Sequence, residues 1–280
     1  GNTSRLFHRE AWVGLRSPMF GQISFGRQYS PHFLLWPMTD ANALSLGTAG
    51  SPFFYPGAGN AMGGSDPTQD DLVRANNSIF WASPNLGGVT VMAYAALGEN
   101  TRSDGTKSST QGNIYNLGVN YGKGPLFVMG SVLYQNLGNS ALGFRPTGHD
   151  TYYELAASYD FGFTKPSIQF EYKNGNDQPW SQDFFLIQIG TSTPLLGGRL
   201  GTTAAYYKNQ TLSKADAYSF IRYDYSLSKR TMLYAGTVAL IQEANAQFSI
   251  EDGPDSSFHY PTSAPGNDVQ QVFFGIRHQF

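Results

Sequence analysis

The chain has 280 residues, of which 40% are hydrophobic, 15% aromatic and 14% charged, and it contains no cysteine. A soluble domain carries roughly 25% charged residues, yet no apolar run here approaches the ~18 to 20 residues of a membrane-spanning helix, which excludes an α-helical membrane protein. The missing cysteines exclude disulfides and thiolate chemistry, and a formal charge of −2 lacks the basic excess of a nucleic-acid-binding protein.

Alternating apolar and polar residues, rich in β-branched and aromatic types, predict strands along nearly the whole chain, and helical spacing is almost absent. In one segment Tyr153, Leu155 and Tyr159 share a face, while Glu154 and Ser158 lie on the other. About thirteen strands are predicted, each near the ~9 to 11 residues that a tilted strand needs to cross a bilayer. They are expected at 5–16, 20–28, 76–83, 87–97, 113–122, 125–136, 150–161, 165–173, 182–193, 198–208, 216–227, 230–242 and 270–280.

The connections between these strands alternate between short turns and long polar loops. The long ones are 29–75, 98–112, 137–149, 174–181, 209–215 and 243–269. This alternation is typical of a membrane barrel, in which the connections are short at one rim and long at the other. A soluble sandwich is not expected to show it. Many tyrosines lie toward strand ends, which fits the aromatic girdles of such barrels, although tyrosine also favours β-sheets in general.

Two features of the sequence indicate whether it contains every strand of a closed barrel: the odd number of predicted strands and the first residues. A closed antiparallel barrel with both termini on one side needs an even number of strands, because open sheet edges are not tolerated in lipid. Gly1 is not an initiator methionine, and the residues after it do not resemble a signal peptide. We therefore expect that strands are missing from the front of this sequence.

The connection 29–75 is longer than the ~12 to 15 residues beyond which a structureless loop is usually functional or disordered. It carries many apolar residues, so we expect it to fold inside the barrel and narrow the lumen. Arg27 and Arg74 flank it, an arrangement that would set a field across a water-filled hole. Alternation from Ile23 and Phe25 points Arg27 outward, so a bulge or strand end must re-aim it. The loop's carboxylates, which could equally be solvated loop residues, are Asp40, Asp66, Asp70 and Asp71.

Several motifs together resemble the general porins of the Gram-negative outer membrane, and most of all those of β-proteobacteria. These motifs span essentially the whole chain and are more specific jointly than singly. They are Arg9-Glu10-Ala11-Trp12-Val13-Gly14-Leu15, Phe25-Gly26-Arg27-Gln28-Tyr29, Arg74-Ala75-Asn76-Asn77-Ser78, Ser83-Pro84-Asn85, Tyr223-Asp224-Tyr225-Ser226-Leu227-Ser228-Lys229-Arg230 and Phe274-Gly275-Ile276-Arg277-His278-Gln279-Phe280.

The resemblance implies an all-β, sixteen-stranded transmembrane antiparallel barrel in the outer membrane, normally a homotrimer, with the third external loop as a constriction. Residues 1–280 would then be one N-terminally incomplete β-barrel domain that lacks three strands, with 29–75 as the constriction loop. Arg27 and Arg74 match two arginines of the family's basic constriction cluster, a third would lie in the missing front portion, and Asp40 matches an acidic position early in the loop. We also assign Arg9 to the basic wall, and Asp66, Asp70 and Asp71 to the acidic loop. Residues 41–64 carry no carboxylate, which favours anions. Phe280 matches the aromatic residue that the family presents to the assembly machinery.

Motifs for catalysis or cofactor binding are not found. The glycine-rich stretch 57–64 neither follows a strand nor opens a helix, the five histidines have no ligand spacing, and Asp66 to Asp71 lack the spacing of a calcium loop. We expect no enzyme, no cofactor, no metal and no nucleic-acid partner. A passive pore for ions and small hydrophilic solutes, with lipid around it, is the first hypothesis. The alternatives are a substrate-selective channel with aromatic residues 33–36 and 53–55 as a binding site, and a barrel or soluble β protein that transports nothing.

Overall fold

The computed structural model is almost entirely β-structure. It describes residues 9–42, 73–98, 110, 112–136, 149–175, 183–210, 214–246 and 264–280, and of 214–218 only the backbone. The strands are β1 (Ala11–Ser17), β2 (Gly21–Tyr29), β3 (Arg74–Ala82), β4 (Val89–Ala96), β5 (Ile114–Lys123), β6 (Leu126–Asn136), β7 (His149–Tyr159), β8 (Lys165–Asn174), β9 (Phe184–Leu195), β10 (Gly198–Asn209), β11 (Lys214–Ser226), β12 (Thr231–Gln242) and β13 (Val269–His278). One short helix, α1 (Pro31–Leu35), precedes a 3-10 turn at Trp36–Met38.

The strands form one sheet in chain order, β1 to β13. Neighbours such as β1 and β2 or β12 and β13 pair antiparallel. The thirteen predicted strands are confirmed, and most of their ends differ by a few residues. The first was expected from residue 5 but begins at Ala11, and residues 5–8 of that prediction lie outside the described residues. Between β9 and β10, Leu196 and Gly197 both have positive φ, 49° and 76°. Positive φ at both central residues gives a tight hairpin turn whose twist matches that of the strands.

The two faces of the sheet have an inverted polarity. In β7, Leu155 is 62% exposed, whereas the neighbouring Glu154 is buried. In β13, Phe274 and Ile276 are exposed while Phe273 is buried. We call the buried side the polar face; it includes Asn116, Ser131, Asp150, Glu154, Gln169, Glu171, Lys173, Gln188, Thr203, Arg222 and Asp224. Exposed apolar side chains opposite buried polar ones are typical of a sheet whose outer surface contacts lipid.

The chain divides into two compact units. The first contains β1 to β6, α1 and residues 149–155 and 171–174; the second contains residues 37–42, the remainder of β7 and β8, and β9 to β13. No helix within these described ranges is long and apolar enough to span a membrane.

The first unit contains a register shift between β2 and β3, beside Arg27. Gly26 pairs with Ser78 but Gln28 pairs with Ala75, so two residues of β3 lie opposite one residue of β2. Gly26 has a φ of 128° and Asn77 a φ of 51°, which fits the local kink of a bulge. Beside this shift Arg27 is buried, although Ile23 and Phe25 before it are exposed.

Candidate functional site

Residues 30–42, which we call the anchoring segment, leave β2 and pack on the polar face. Ser30 is the N-cap of α1: its hydroxyl oxygen accepts a hydrogen bond from the Phe33 N–H at 3.2 Å, and Pro31 opens the helix. A serine cap followed by proline is a strong helix start. The sequence pattern predicts no helix within residues 29–75, and α1 corrects this at 31–35, where the local signal of Ser30 and Pro31 was missed.

In the first unit, α1 fits into a space left by Gly118 of β5. A Cβ atom at this glycine would lie 2.9 Å from Pro31 Cβ and 3.0 Å from Leu35 Cδ1. Leu35 is fully buried. The Asn116 Oδ1 atom accepts a hydrogen bond from the His32 backbone N–H at 2.8 Å, so the start of the helix is fixed by both shape and polarity.

The His32 side chain reaches a buried carboxylate cluster on β7 and β8. Its Nε2 lies 3.1 Å from Glu171 Oε1, and its Nδ1 lies 3.3 Å from Glu154 Oε2 and 3.4 Å from Ser131 Oγ. Burial lowers the pKa of His32 to about 3, because a charged imidazole loses its hydration. A neutral ring has one donor and one acceptor, so Nε2–H donating to Glu171 and Nδ1 accepting from Ser131 satisfies both nitrogens.

A buried ionic pair lies next to this cluster on β7 and β8. The Lys173 Nζ atom lies 2.7 Å from Asp150 Oδ2, and it also lies 5.3 Å from the centre of the Tyr152 ring. Glu171 and Lys173 are two residues apart in β8, so they point to the same face. Although several ionisable groups meet here, no group of three or more acidic or histidine side chains in the described ranges is arranged to hold a metal ion.

In the second unit, residues 39–42 are fastened by neutral groups. Gln169 Nε2 donates to Thr39 Oγ1 at 2.9 Å, and Asn42 Nδ2 donates to Thr203 Oγ1 at 2.9 Å. Glycines again provide the room, since a Cβ at Gly190 would lie 2.9 Å from the Ala41 Cβ and one at Gly201 would meet the Asn42 side chain.

The same unit contains two arginines that share one carboxylate. Arg199 Nη2 and Arg222 Nε donate to the two oxygens of Asp224, at 2.5 and 2.6 Å. Arg199 Nη1 also donates to the backbone carbonyl of Ala41 at 2.5 Å. This guanidinium therefore joins β10, β11 and the anchoring segment.

The residues predicted from the sequence fall into three groups. Arg27 and Arg74 are both buried in the first unit: Arg27 donates to Asn76 Oδ1 at 3.0 Å, and Arg74 donates to the Tyr29 hydroxyl at 3.2 Å. Asp40 is buried in the second unit and accepts from the Asn42 N–H. Arg9 and Phe280 are exposed. Asp66, Asp70 and Asp71 lie outside the described residues.

Sequence reasoning missed the buried cluster and the arginine pair. A signal was present, because Glu171 and Lys173, like Arg222 and Asp224, stand two residues apart within a strand. This spacing places both charges of each pair on one face. His32 gave no such signal, because its partners are far away in the sequence.

One antiparallel sheet with an exposed apolar face and a buried polar face, on which residues 30–42 pack within each unit, is characteristic of membrane β-barrel proteins. The sequence pattern of Gram-negative porins matches residues 1–246, and the chain belongs to this family. Its strands thus form a transmembrane antiparallel β-barrel of the outer membrane.

Individual relatives agree with this assignment. The chain is 30% identical to outer membrane porin protein 32 of Delftia acidovorans, over all of this chain and 76% of that protein. It is 26% identical to an outer membrane porin of Bordetella pertussis, over 59% of this chain and 42% of that one. Among solved structures, an anion-selective porin from Comamonas acidovorans superposes with a TM-score of 0.84 at 24% identity, covering all of this chain and 80% of the other. The trimer form of OmpT from Vibrio cholerae gives 0.65 at 15% identity, covering 96% and 79%.

Proposed function

We propose that the protein forms a water-filled channel through which ions and small hydrophilic solutes diffuse passively, with a preference for anions. The observation that carries this proposal is the inverted sheet, apolar and exposed on one side and polar and buried on the other. Such a sheet separates lipid from an aqueous lumen. The name of the Comamonas structure, an anion-selective porin, supports the sign of the preference.

Residues 29–75 form the constriction loop in this proposal. The contacts of the anchoring segment with the polar face in each unit support it, since a loop held there occupies space that water and ions would otherwise fill. Arg27 and Arg74 would provide the basic wall, with Arg9 beside them. Because Arg27 and Arg74 are buried, they would act on ions through the electrostatic potential rather than by contact. Asp40, with Asp66, Asp70 and Asp71, would provide the acidic side.

The test is the zero-current potential of single channels in a potassium chloride gradient across a planar bilayer. The wild-type protein should give the sign of an anion-preferring pore. Replacing both wall arginines, R27Q/R74Q, should lower the anion-to-cation permeability ratio, whereas D40N should raise it by a smaller amount. Unchanged potentials in the double variant would contradict the placement of these arginines along the lumen, and a wild-type channel that prefers cations would contradict the anion preference itself.

A substrate-selective channel is less well supported. Trp36 is fully buried, and the Phe33 ring stacks on Tyr29 with centroids 4.8 Å apart. Trp36 is therefore not available for stacking a solute, and the stack of Phe33 on Tyr29 anchors the loop. The other aromatic residues of that hypothesis, 53–55, lie outside the described residues. Current that saturates with one class of solute would favour this alternative.

We also propose that the protein assembles as a homotrimer and that Phe280 is part of its assembly signal. The trimer form of the Vibrio cholerae relative supports the first, and the full exposure of Phe280 beyond β13 supports the second. Chemical crosslinking in outer membranes should give a three-subunit band, which F280A should reduce together with the amount of folded protein. Monomers alone, or normal assembly of the variant, would contradict these proposals.

A further inference from the structure

The arginine pair of the second unit has an unequal exposure. The side chain of Arg199 is 36% exposed, while those of Arg222 and Asp224 are 6% and 8% exposed. Two guanidinium groups share one carboxylate, so the three side chains together carry a net charge of +1. The excess positive charge is therefore exposed to solvent at Arg199.

The geometry holds the Arg199 guanidinium in one orientation. Its Nη1 atom donates to Ala41 O at 2.5 Å and to Ser192 Oγ at 3.3 Å, and its Nη2 atom donates to Asp224 at 2.5 Å. Arg222 in turn supports Asp224 from the other oxygen, and its own guanidinium lies 4.3 Å from the centre of the Tyr234 ring. A fixed guanidinium loses little side-chain freedom when it binds an anion.

Hydrogen-bonding capacity remains on the exposed group. An arginine has five N–H donors, and these contacts with described residues engage three of them. The Nε–H and one Nη2–H are left for another acceptor. Carboxylate and phosphate groups are the acceptors that a planar guanidinium fork fits best.

The neighbouring charges on this face are mostly positive. Direct pairing across the strands runs from Arg199 to Asp224, then to Tyr234 and Gly275, so these residues share one face. Arg277, two residues beyond Gly275, is on the same face and is exposed. The acidic residue nearest in sequence to the Ala41 contact is Asp40, which is buried.

We propose that Arg199 is a contact site for permeating anions, chiefly those that carry carboxylate or phosphate groups, and that it contributes to the selectivity of the channel. Asp224 and the Ala41 carbonyl position the guanidinium, and Arg222 holds the Asp224 carboxylate in place from its other oxygen. An anion diffusing along the polar face exchanges water for the two remaining N–H groups and is released again, because one partly hydrated contact is weak. This inference rests on the proposed anion-preferring pore.

The test combines three readouts on single channels in about 0.1 M potassium chloride, where the screening length is about 10 Å. They are conductance, the zero-current potential in a salt gradient, and the reduction of chloride current by added inorganic phosphate. In R199Q, we expect the anion-to-cation permeability ratio to fall and the phosphate concentration for half-reduction to rise, each by about threefold, the scale of one partly exposed charge pair. R199K keeps the charge and should retain most of the permeability ratio while losing phosphate affinity.

Two controls separate ion contact from loop anchoring. N42A removes a tether of the same segment without a change in charge, so it should alter conductance only; if it reproduced the selectivity change of R199Q, the role of Arg199 would be structural. R230Q removes one arginine from an exposed turn and should leave both selectivity readouts near wild type.

The outcomes distinguish this inference from the proposed function. A wild-type channel that prefers cations overturns the proposed function. An anion-preferring wild type with unchanged permeability ratio and phosphate response in R199Q overturns the role of Arg199 alone. Folding of each variant is checked first by the heat-sensitive electrophoretic mobility of the barrel, and if R199Q fails to fold, R199K alone decides through its phosphate response.

Discussion

The anchoring segment is held by different chemistry in the two units. Residues 31–36 pack a helix on the first unit through fully buried groups, among them His32, Glu154 and Glu171. Residues 39–42 are held on the second unit by hydrogen bonds between neutral amides and hydroxyls and by a guanidinium that is partly in water. Desolvated ionisable groups make the first attachment sensitive to pH and to the loss of a partner. The second should respond mainly to changes in charge and salt.

The largest effect is expected from Lys173, a buried cation of the first unit that is paired with Asp150. In K173M, Asp150 stays buried without the charge of Lys173 beside it, which should lower the free energy of unfolding by about 3 to 5 kcal/mol. The measurement is the unfolding midpoint in detergent with increasing guanidinium chloride. The double variant K173M/D150L should recover much of this loss, because a well-packed apolar pair replaces the ions. A K173M midpoint close to that of wild type would show that the pair is hydrated and not buried.

Acid should weaken the first attachment through His32. The pKa of His32 is about 3 in the folded protein and about 6.5 when unfolded, so only the unfolded state binds this proton between those values. Stability should therefore fall as the pH drops from about 6.5, by at most about 1.4 kcal/mol per pH unit, and should not depend on His32 above that range.

Because other polar and ionisable groups surround His32, the experiment needs a control that removes the imidazole alone. These groups are Asn116 of β5, Ser131 of β6, Glu154 of β7 and Glu171 of β8, with Lys173 further along β8. H32Q has no titrating ring, so its unfolding midpoint and channel conductance should vary less than those of wild type between pH 6.5 and 4. Equal pH profiles for the two proteins would mean that His32 is not the group responsible.

A side chain at Gly118 should displace α1. The Cβ of G118V would lie within 3.0 Å of Pro31 and Leu35, and overpacking of this kind costs about 1 to 3 kcal/mol. Because the helix covers part of the polar face, we expect a larger or noisier single-channel conductance and a lower unfolding midpoint. G124V is a control for inserting valine elsewhere, since nothing lies within 4 Å of a Cβ at Gly124, although its φ of 62° adds local strain. A quiet channel of wild-type conductance in G118V would contradict the packing of α1.

The smallest effect is expected in the second unit, from T203V. This variant removes the acceptor for Asn42 Nδ2 and should cost about 1 kcal/mol. It should leave the pH profile of the first attachment unchanged, because Thr203 belongs to the other unit. Loss of the pH dependence in T203V would show that the two attachments are not independent.

The strands could be predicted closely from the sequence. The rows Tyr153, Leu155, Tyr159 and Val272, Phe274, Ile276 show which residues share a face, and this follows from the two-residue repeat of a strand without any tertiary information. An irregularity near Arg27 was also predictable, because strict alternation from Ile23 and Phe25 would point this arginine outward. The start of α1 could also have been found, since Ser30 and Pro31 are a local signal.

The burial of the charged residues could not be predicted in this way. The partners of His32 lie on β5 to β8, far along the chain, and the partner of Arg199 in the anchoring segment is a backbone carbonyl, which no residue type reveals. Arg27 and Arg74 were recognised as a pair from their places beside the loop, but their buried state depends on what packs over them.

The sequence by itself thus determined the sheet, its inverted polarity and the position of the long insertion, because strand alternation and turn chemistry act over a few neighbouring residues. Only the tertiary structure decided where the insertion attaches, which charged side chains are buried, and which guanidinium stays exposed to water. These depend on side chains that meet although they lie well apart in the sequence, and on the space that glycines such as Gly118 and Gly201 leave open.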